Sequence, residues 1–398
     1  MKIPTVKLCE ICEINPATDY AFKPEDACSF VPMEAVDDVN AHIARIVTRP
    51  FREVAKGYTA FAENDVIVAK ITPCMENGKC AIGRRLRNGV AFGSTEFHVL
   101  RPTKRVIPEW LFYFWRFPAT RNLAAINMTG SAGQKRVPTS YLETADIPLP
   151  EMSEQRRIVG QLELADRLQR TRRFALETTD TFLPAAFLNL FGKTSDSFPT
   201  PTVDELAADK PHAIRTGPFG SQLLHSEFTG RGIAVLGIDN AVNNEFVWDQ
   251  RRFITQEKYE QLKRYTVFPD DVLITIMGTC GRCAIVPDDI PTAINTKHLC
   301  CITLDQKRCL SIYLHGAFLY HPFVSRQRSI AMKGAIMDGL NMEIIKGLQI
   351  PLPPLPLQQE FAALVERVDH LRAVQREALR QAEHLFQTLL HQAFSESA

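Results

Sequence analysis

The chain has 398 residues, 45% of them apolar and 23% charged, with a formal net charge of +1. Such a length exceeds one ordinary core and implies two or more domains of a soluble globular protein. The charge balance excludes a uniformly basic nucleic-acid binder, so any surface for DNA must segregate its cations locally. No apolar stretch nears bilayer-spanning length; the nearest, Trp110 to Phe117, is short and holds Arg116.

The first residues, MKIPTVKLCEICE, contain neither an h-region nor a small-residue cleavage site, so a cytoplasmic protein is expected. Ten cysteines in a reducing compartment are expected to be thiols. The CxxC pairs Cys9/Cys12 and Cys280/Cys283 invite a zinc or redox reading. They lie far apart, without a His-rich or second CxxC partner nearby, and Cys300, Cys301 and Cys309 are spaced like small core residues, so no metal is expected.

Further along, Asn64-Asp65 precedes the strand-like run Val66-Ile67-Val68, and a glycine-containing turn follows that carries Lys79. Such a turn offers N–H groups and a cation to a phosphate, or is an ordinary hairpin turn. Lys79, Arg84, Arg85, Arg87, Arg101, Lys104 and Arg105 then fall close together with Glu96 the single acid among them. A solvated loop face is the alternative reading of that run.

IPLP at 147–150 returns at 350–353 as IPLP, 203 residues on, and the offset holds without a gap. GKCAI (78–82) falls on GRCAI (281–285), Trp110-Leu111 on Tyr313-Leu314, Ala132 on Ala335, Val137 on Leu340, Gln155 on Gln358, Asp166 on Asp369, Leu168 on Leu371, Leu176 on Leu379 and Phe191 on Phe394. Slightly earlier the offset becomes 206, placing Asn64-Asp65-Val66 on Asp270-Asp271-Val272. A period this long marks duplicated domains rather than a solenoid.

Each copy is read as an α/β (α+β-like) domain followed by a long helix, since the Pro-rich phrase favours extended backbone and the next stretch of about 35 residues supports a helix of roughly 50 Å. In the second helix Phe361, Leu364, Val368, Leu371, Gln375, Ala378, Ala382, Leu385 and Leu389 step by three and four, a heptad seam with one polar position, Gln375. The first helix repeats it less cleanly through Ile158, Leu162, Ala165, Leu168, Leu176, Phe182, Leu183 and Ala186, and Pro184 should kink or end it. The boundaries read 1–147 for a first globular domain, 148–195 for a helix, 196–350 for a second domain and 351–398 for a second helix. The expected architecture is two repeated globular domains separated by two long antiparallel coiled-coil spacer helices.

Catalytic apparatus is not found. GKT at 192–194 lacks its earlier glycine, because Phe187 stands there, and it follows a helix. No GxGxxG opens a βαβ unit, Asn15-Pro16 continues with Ala17 rather than the second proline of an adenine-methylating tetrapeptide, and the acidic pairs Asp270/Asp271 and Asp288/Asp289 lack a following Glu-x-Lys.

Two variable α/β domains, each followed by IPLP, a glutamine and a long helix ending in Phe, resemble the specificity subunit of Type I restriction–modification enzymes over essentially the whole chain. VAKITPCMENGK (68–79) with FGSTEFHVLRP (92–102) is similar to one type of target recognition domain, and TGPFGSQLL (216–224) to another. The resemblance implies a non-catalytic reader of a split DNA sequence, with the paired helices as a ruler. It implies docking to two methyltransferase subunits and two motor-nuclease subunits, which carry S-adenosylmethionine, ATP and magnesium. Divergence between the two domains predicts an asymmetric site. Candidate DNA contacts are Lys70, Thr72, Asn77, Lys79, Arg84, Arg85, Ser94, Gln134, Lys135 and Arg136 in the first domain. In the second they are Arg215, Phe219, Ser221, Gln222, Arg282, Asn295, Lys297, Arg326, Arg328 and Lys333. Arg, Gln and Asn suit base edges, whereas Lys and Ser more often hold phosphates. A specificity subunit for a fused methyltransferase-nuclease and a coiled-coil scaffold without DNA are the competing readings.

Overall fold

The structure, a computed structural model, describes residues 3–131, 133–192, 197–248, 251–333 and 339–395. Ala132, Lys193, Thr194, Ala335 and the side chain of Lys333 lie outside the described residues. The chain divides into two compact units, Met1–Leu176 with Gln375–Ala398 and Glu177–Val374.

In the first unit the larger sheets are built from β1 (Cys12–Ile14), β2 (Ala27–Val31), β3 (Val47–Pro50), β4 (Thr59–Ala62), β5 (Val66–Ala69), β6 (Cys80–Ile82), β7 (Val90–Gly93) and β8 (Phe97–Pro102). They form two four-stranded sheets, ordered β1-β8-β5-β6 and β3-β2-β7-β4. The second unit has β9 (Ile214–Thr216), β10 (Ile233–Leu236), β11 (Phe253–Ile254), β12 (Thr266–Val267), β13 (Val272–Thr275), β14 (Cys283–Ile285), β15 (Ala293–Asn295) and β16 (Leu299–Ile302). Its sheets run β9-β16-β13-β14 and β11-β10-β15-β12, the same topology strand for strand. In both units one pair is parallel, β2 with β7 and β10 with β15, and the other pairs within these sheets are antiparallel.

Both faces of the first-ordered sheet are covered, which explains why its central strands are apolar without alternation. On β5, Val66 and Val68 join the helix-side core while Ile67 and Ala69 face the other sheet. On β13 and β16 the same division puts Val272, Ile274 and Cys300 on one side, Leu273 and Cys301 on the other. The adjacent thiols Cys300 and Cys301 therefore fill two different cores, and burial pushes both of them up, Cys300 to about 12.

Helices follow the sheets in each copy: α1 (Pro108–Arg116), α2 (Pro118–Ile126) and α3 (Met152–Phe191), then α4 (Ser311–Tyr320), α5 (Pro322–Lys333) and α6 (Leu355–Phe394). The doubled phrase before α3 and α6 is a joint. Gln155, fully buried, accepts from the Ile107 N–H at 3.1 Å and donates to the carbonyls of Arg105 at 3.0 Å and Pro150 at 2.9 Å. Gln358 does the same with Leu310 N at 2.9 Å, Arg308 O at 3.1 Å and Pro353 O at 2.8 Å. The Trp110 indole donates to Pro148 O at 2.9 Å, and Tyr313 Oη donates to Pro351 O in its place. Each set ties the start of a long helix to the loop ahead of a short one, satisfying buried backbone groups that would otherwise cost free energy.

Within each unit the long helices pack antiparallel. In the first, Arg173 of α3 pairs with Glu383 of α6 at 2.7 Å, while Phe386, Leu390 and Phe394 join α1 in the core. In the second, Asp180 of α3 meets Arg372 at 3.0 Å and Phe187 packs on Phe361 with ring centres 5.2 Å apart. The seam differs from the sequence reading in one of its two rows. Phe361, Val368 and Ala382 are buried, but Leu371 and Leu385 are 47% and 45% exposed, and at those two turns the neighbouring Arg372 and Phe386 are the more buried. Leu364, Gln375, Leu389, Ile158 and Leu176 are half-buried, Leu162 is buried, and Leu168 is exposed. Pro184 does not end α3, which runs through it to Phe191 with Leu183 and Phe187 anchoring the adjoining turns in the core. Among the described residues no helix is long and apolar enough to cross a membrane.

Candidate nucleic-acid interface

Parallel strands end together, so the C-terminal ends of β2 and β7, joined by the exit of β5, gather several turns at one end of the first unit. Lys70 N donates to Glu96 O at 2.9 Å, and Thr72 N to Lys135 O at 3.0 Å. Ser94 accepts from Glu96 N at 3.2 Å. The structure thus brings Lys70, Thr72, Asn77, Lys79, Ser94, Gln134, Lys135 and Arg136 to the same end, with Asn77, Gln134 and Lys135 exposed. Two of the cations there have internal work. Lys79 Nζ donates to Met33 O at 3.2 Å, and Arg136 is clamped with Nε and Nη2 on the Glu96 carboxylate at 2.9 and 2.8 Å and Nη1 on Gln134 O at 3.0 Å. That pairing holds the Glu96 carboxyl below its usual range. Beneath them His98 is buried, its Nε2 donating to Val137 O at 2.8 Å, and burial lowers the pKa of its imidazole.

Arg84 and Arg85 are not part of this group. They follow β6, which runs antiparallel to β5 and leaves at the opposite end, where Arg84 pairs with Glu109 and Arg85 N donates to Glu63 at 2.8 Å. Arg101 of the basic run turns inward, with Nε and Nη2 on the buried Asp65 at 2.9 and 2.8 Å. The cations that look like a single run are thus divided among different ends and cores by strand direction.

The second unit builds the equivalent end from Met277–Arg282, 296–298 and the segment after β9. Ile276 N donates to His298 O at 2.9 Å, and Gly217 N to Thr296 O at 3.3 Å. Phe219 and Ser221 are exposed there, Arg282 and Lys297 half-buried, and Arg326 exposed on α5. Gln222 accepts from Tyr265 Oη at 2.9 Å. Arg328 lies over the Phe318 ring at 4.3 Å with Nη1 near Gly281 O at 3.4 Å, so it supports the 277–282 turn from behind. Two expected contacts are buried structural groups. Arg215 is closed onto Asp271 with Thr303 beside it, and Asn295, wholly buried, donates to Leu299 O at 3.1 Å. Both sit on strand segments covered by the facing sheet, not on turns.

Sequence reasoning missed Arg252 and Asp239, which meet at this same end. Arg252 precedes a two-residue strand, too short to leave a period-2 pattern. Among the described residues no group of three or more His, Cys, Asp or Glu side chains is placed to hold a metal ion.

Comparison with known proteins follows this division into two copies. Residues 2–178 and 227–383 match the family described as Type I restriction modification DNA specificity domain. The chain is 37% identical over 205 residues to the Type I restriction enzyme EcoAI specificity subunit of Escherichia coli, covering 50% of this chain and 33% of that one. It is 41% identical over 171 residues to the EcoEI specificity subunit of the same organism, covering 41% and 28%. The matches thus span about a third of the length of these two relatives. In fold it resembles a chain from a structure of the type I R-M system, with 20% identity, a TM-score of 0.59 and coverage of 99% and 98%. With the matched stretches falling on both copies of the repeat and spanning most of its length, the chain belongs to the Type I restriction modification DNA specificity domain family.

Proposed function

We propose that this chain is the non-catalytic sequence-reading subunit of a cytoplasmic Type I restriction–modification complex. Each unit reads one half of an asymmetric, bipartite DNA site, and the long helices set the unread gap. Two methyltransferase subunits and two motor-nuclease subunits dock on the chain and carry the S-adenosylmethionine, ATP and magnesium. The observation that supports this most is the pairing of sameness and difference. Strand order and the glutamine joints are duplicated atom for atom, whereas the turns at the reading ends carry different side chains.

A base-modifying partner must flip its target adenine from the duplex. Two such partners need two like docking sites, and two unlike readers give a non-palindromic sequence. Exposed apolar side chains on the long helices, Leu164 and Leu385 in the first unit and Phe182, Leu188 and Leu371 in the second, offer area to the methyltransferases.

The test is a methylome, in which host DNA is sequenced for N6-methyladenine with this gene intact and deleted. A split, asymmetric motif that vanishes on deletion is the expected result. An unchanged methylome while the partner methyltransferase is expressed overturns the reading.

A further inference from the structure

Within the second unit, β10 and β15 run parallel, and the turns leaving their ends, residues 237–240 and 296–298, lie side by side: Thr296 N donates to Leu236 O at 2.9 Å. Arg252 enters this corner from the neighbouring strand, its carbonyl accepting from Val235 N at 2.9 Å. Its guanidinium Nη2 donates to Asp239. Gly237 passes directly beneath, and a Cβ built on that glycine would stand 2.5 Å from Nη2. The backbone of Gly237 is ordinary extended chain, so what a side chain would remove there is space for the arginine. Lys297 and His298 complete the corner, and burial with the nearby Lys297 and Arg252 charges lowers the pKa of the imidazole.

The contrast with the first unit is informative. Arg136 has Nε, Nη1 and Nη2 all bonded within the protein, which makes it a pin. Among the described residues Arg252 is held through Nη2, its Nε is buried without a partner, and its side chain is about a third exposed, at 35%. A carboxylate that holds one nitrogen of a guanidinium orients it and reduces the conformational freedom lost on binding, while the remaining Nη1 and Nη2 N–H groups stay available for a pair of acceptors. In the major groove guanine alone presents two adjacent acceptors, N7 and O6, whereas adenine places a donor beside its N7.

We propose that Arg252, braced by Asp239 over Gly237, reads a guanine in the half-site of the second unit. This rests on the reading of the chain as a DNA specificity subunit. The Asp239 carboxylate is a positioning group, and Lys297 contributes charge toward the adjacent phosphates rather than base choice.

The experiment uses the full chain co-expressed with its methyltransferase partner in a host without that methylation, comparing the wild type with Arg252→Ala, Arg252→Gln and Asp239→Asn. Exchange of residues 196–350 with those of a relative assigns the half-site. In both Arg252 variants, one guanine position of that half becomes degenerate, with discrimination falling about ten- to a hundredfold, and the other half stays unchanged. Asp239→Asn gives a smaller relaxation at the same position. Arg252→Gln keeps a long polar side chain in the corner but lacks the paired donors that match guanine, so it decides the matter if the alanine variant fails to fold. An unchanged motif in the glutamine variant, or methylation that weakens equally at every position as for a phosphate contact, overturns the assignment while leaving the specificity-subunit reading intact. Absence of any motif with the wild-type chain removes both.

Discussion

Asp65 and Asp271 open equivalent strands, and each is buried with a hydrogen bond from the backbone three residues earlier, Ala62 N or Phe268 N. Their arginines are not equivalent. Arg101 comes from β8 in the first unit, whereas Arg215 comes from β9 in the second, where Thr303 takes the position beside the carboxylate. The paired acidic positions are plain in the sequence as Asn64-Asp65 and Asp270-Asp271, and Asn64 and Asp270 both adopt positive φ, which Asn and Asp tolerate. The partner was not legible, because strand pairing rather than sequence distance brings it in. An Arg215→Ala variant leaves a carboxylate buried without its cation, and a loss of about 3–5 kcal/mol in unfolding free energy is expected. Chemical denaturation measures it; a variant as stable as the wild type would mean that Arg215 is free for DNA after all.

The long helices show where periodicity misleads by one position. Steps of three and four admit two neighbouring rows, and the exposed Leu371 and Leu385 are as apolar as Val365 and Phe386, which are buried. Only the contacts of α1, whose Trp110 and Phe114 rings lie 4.7 and 5.8 Å from Phe394, decide which row is covered in the first unit. Leu390→Ala should therefore destabilise by about 2–5 kcal/mol. Leu371→Lys, on the exposed row, should change unfolding by less than about 0.5 kcal/mol and instead weaken co-purification with the methyltransferase. Equal destabilisation by the two substitutions would contradict this division of the helix surface. The existence of both helices, by contrast, was legible, although Pro184 misled about where the first one ends: α3 and α6 keep the 203-residue offset at both ends.

On the proposed function, two copies with one strand order predict modular recognition. Replacing residues 196–350 by those of a relative should alter one half of the methylated motif and leave the other; changes in both halves would show that the copies do not read independently. Adding one heptad to each long helix should lengthen the unread gap, and an unchanged gap would remove the helices from that role. What could not be read from the sequence is the composition of each unit. The first is discontinuous, completed by Gln375–Ala398, and its Trp110 core closes on Phe394, while the second is an uninterrupted stretch, Glu177–Val374. A ribosome therefore makes all of the second unit before the segment that finishes the first. The half translated earliest must wait with an open apolar face, and the later half is the one free to fold as it emerges.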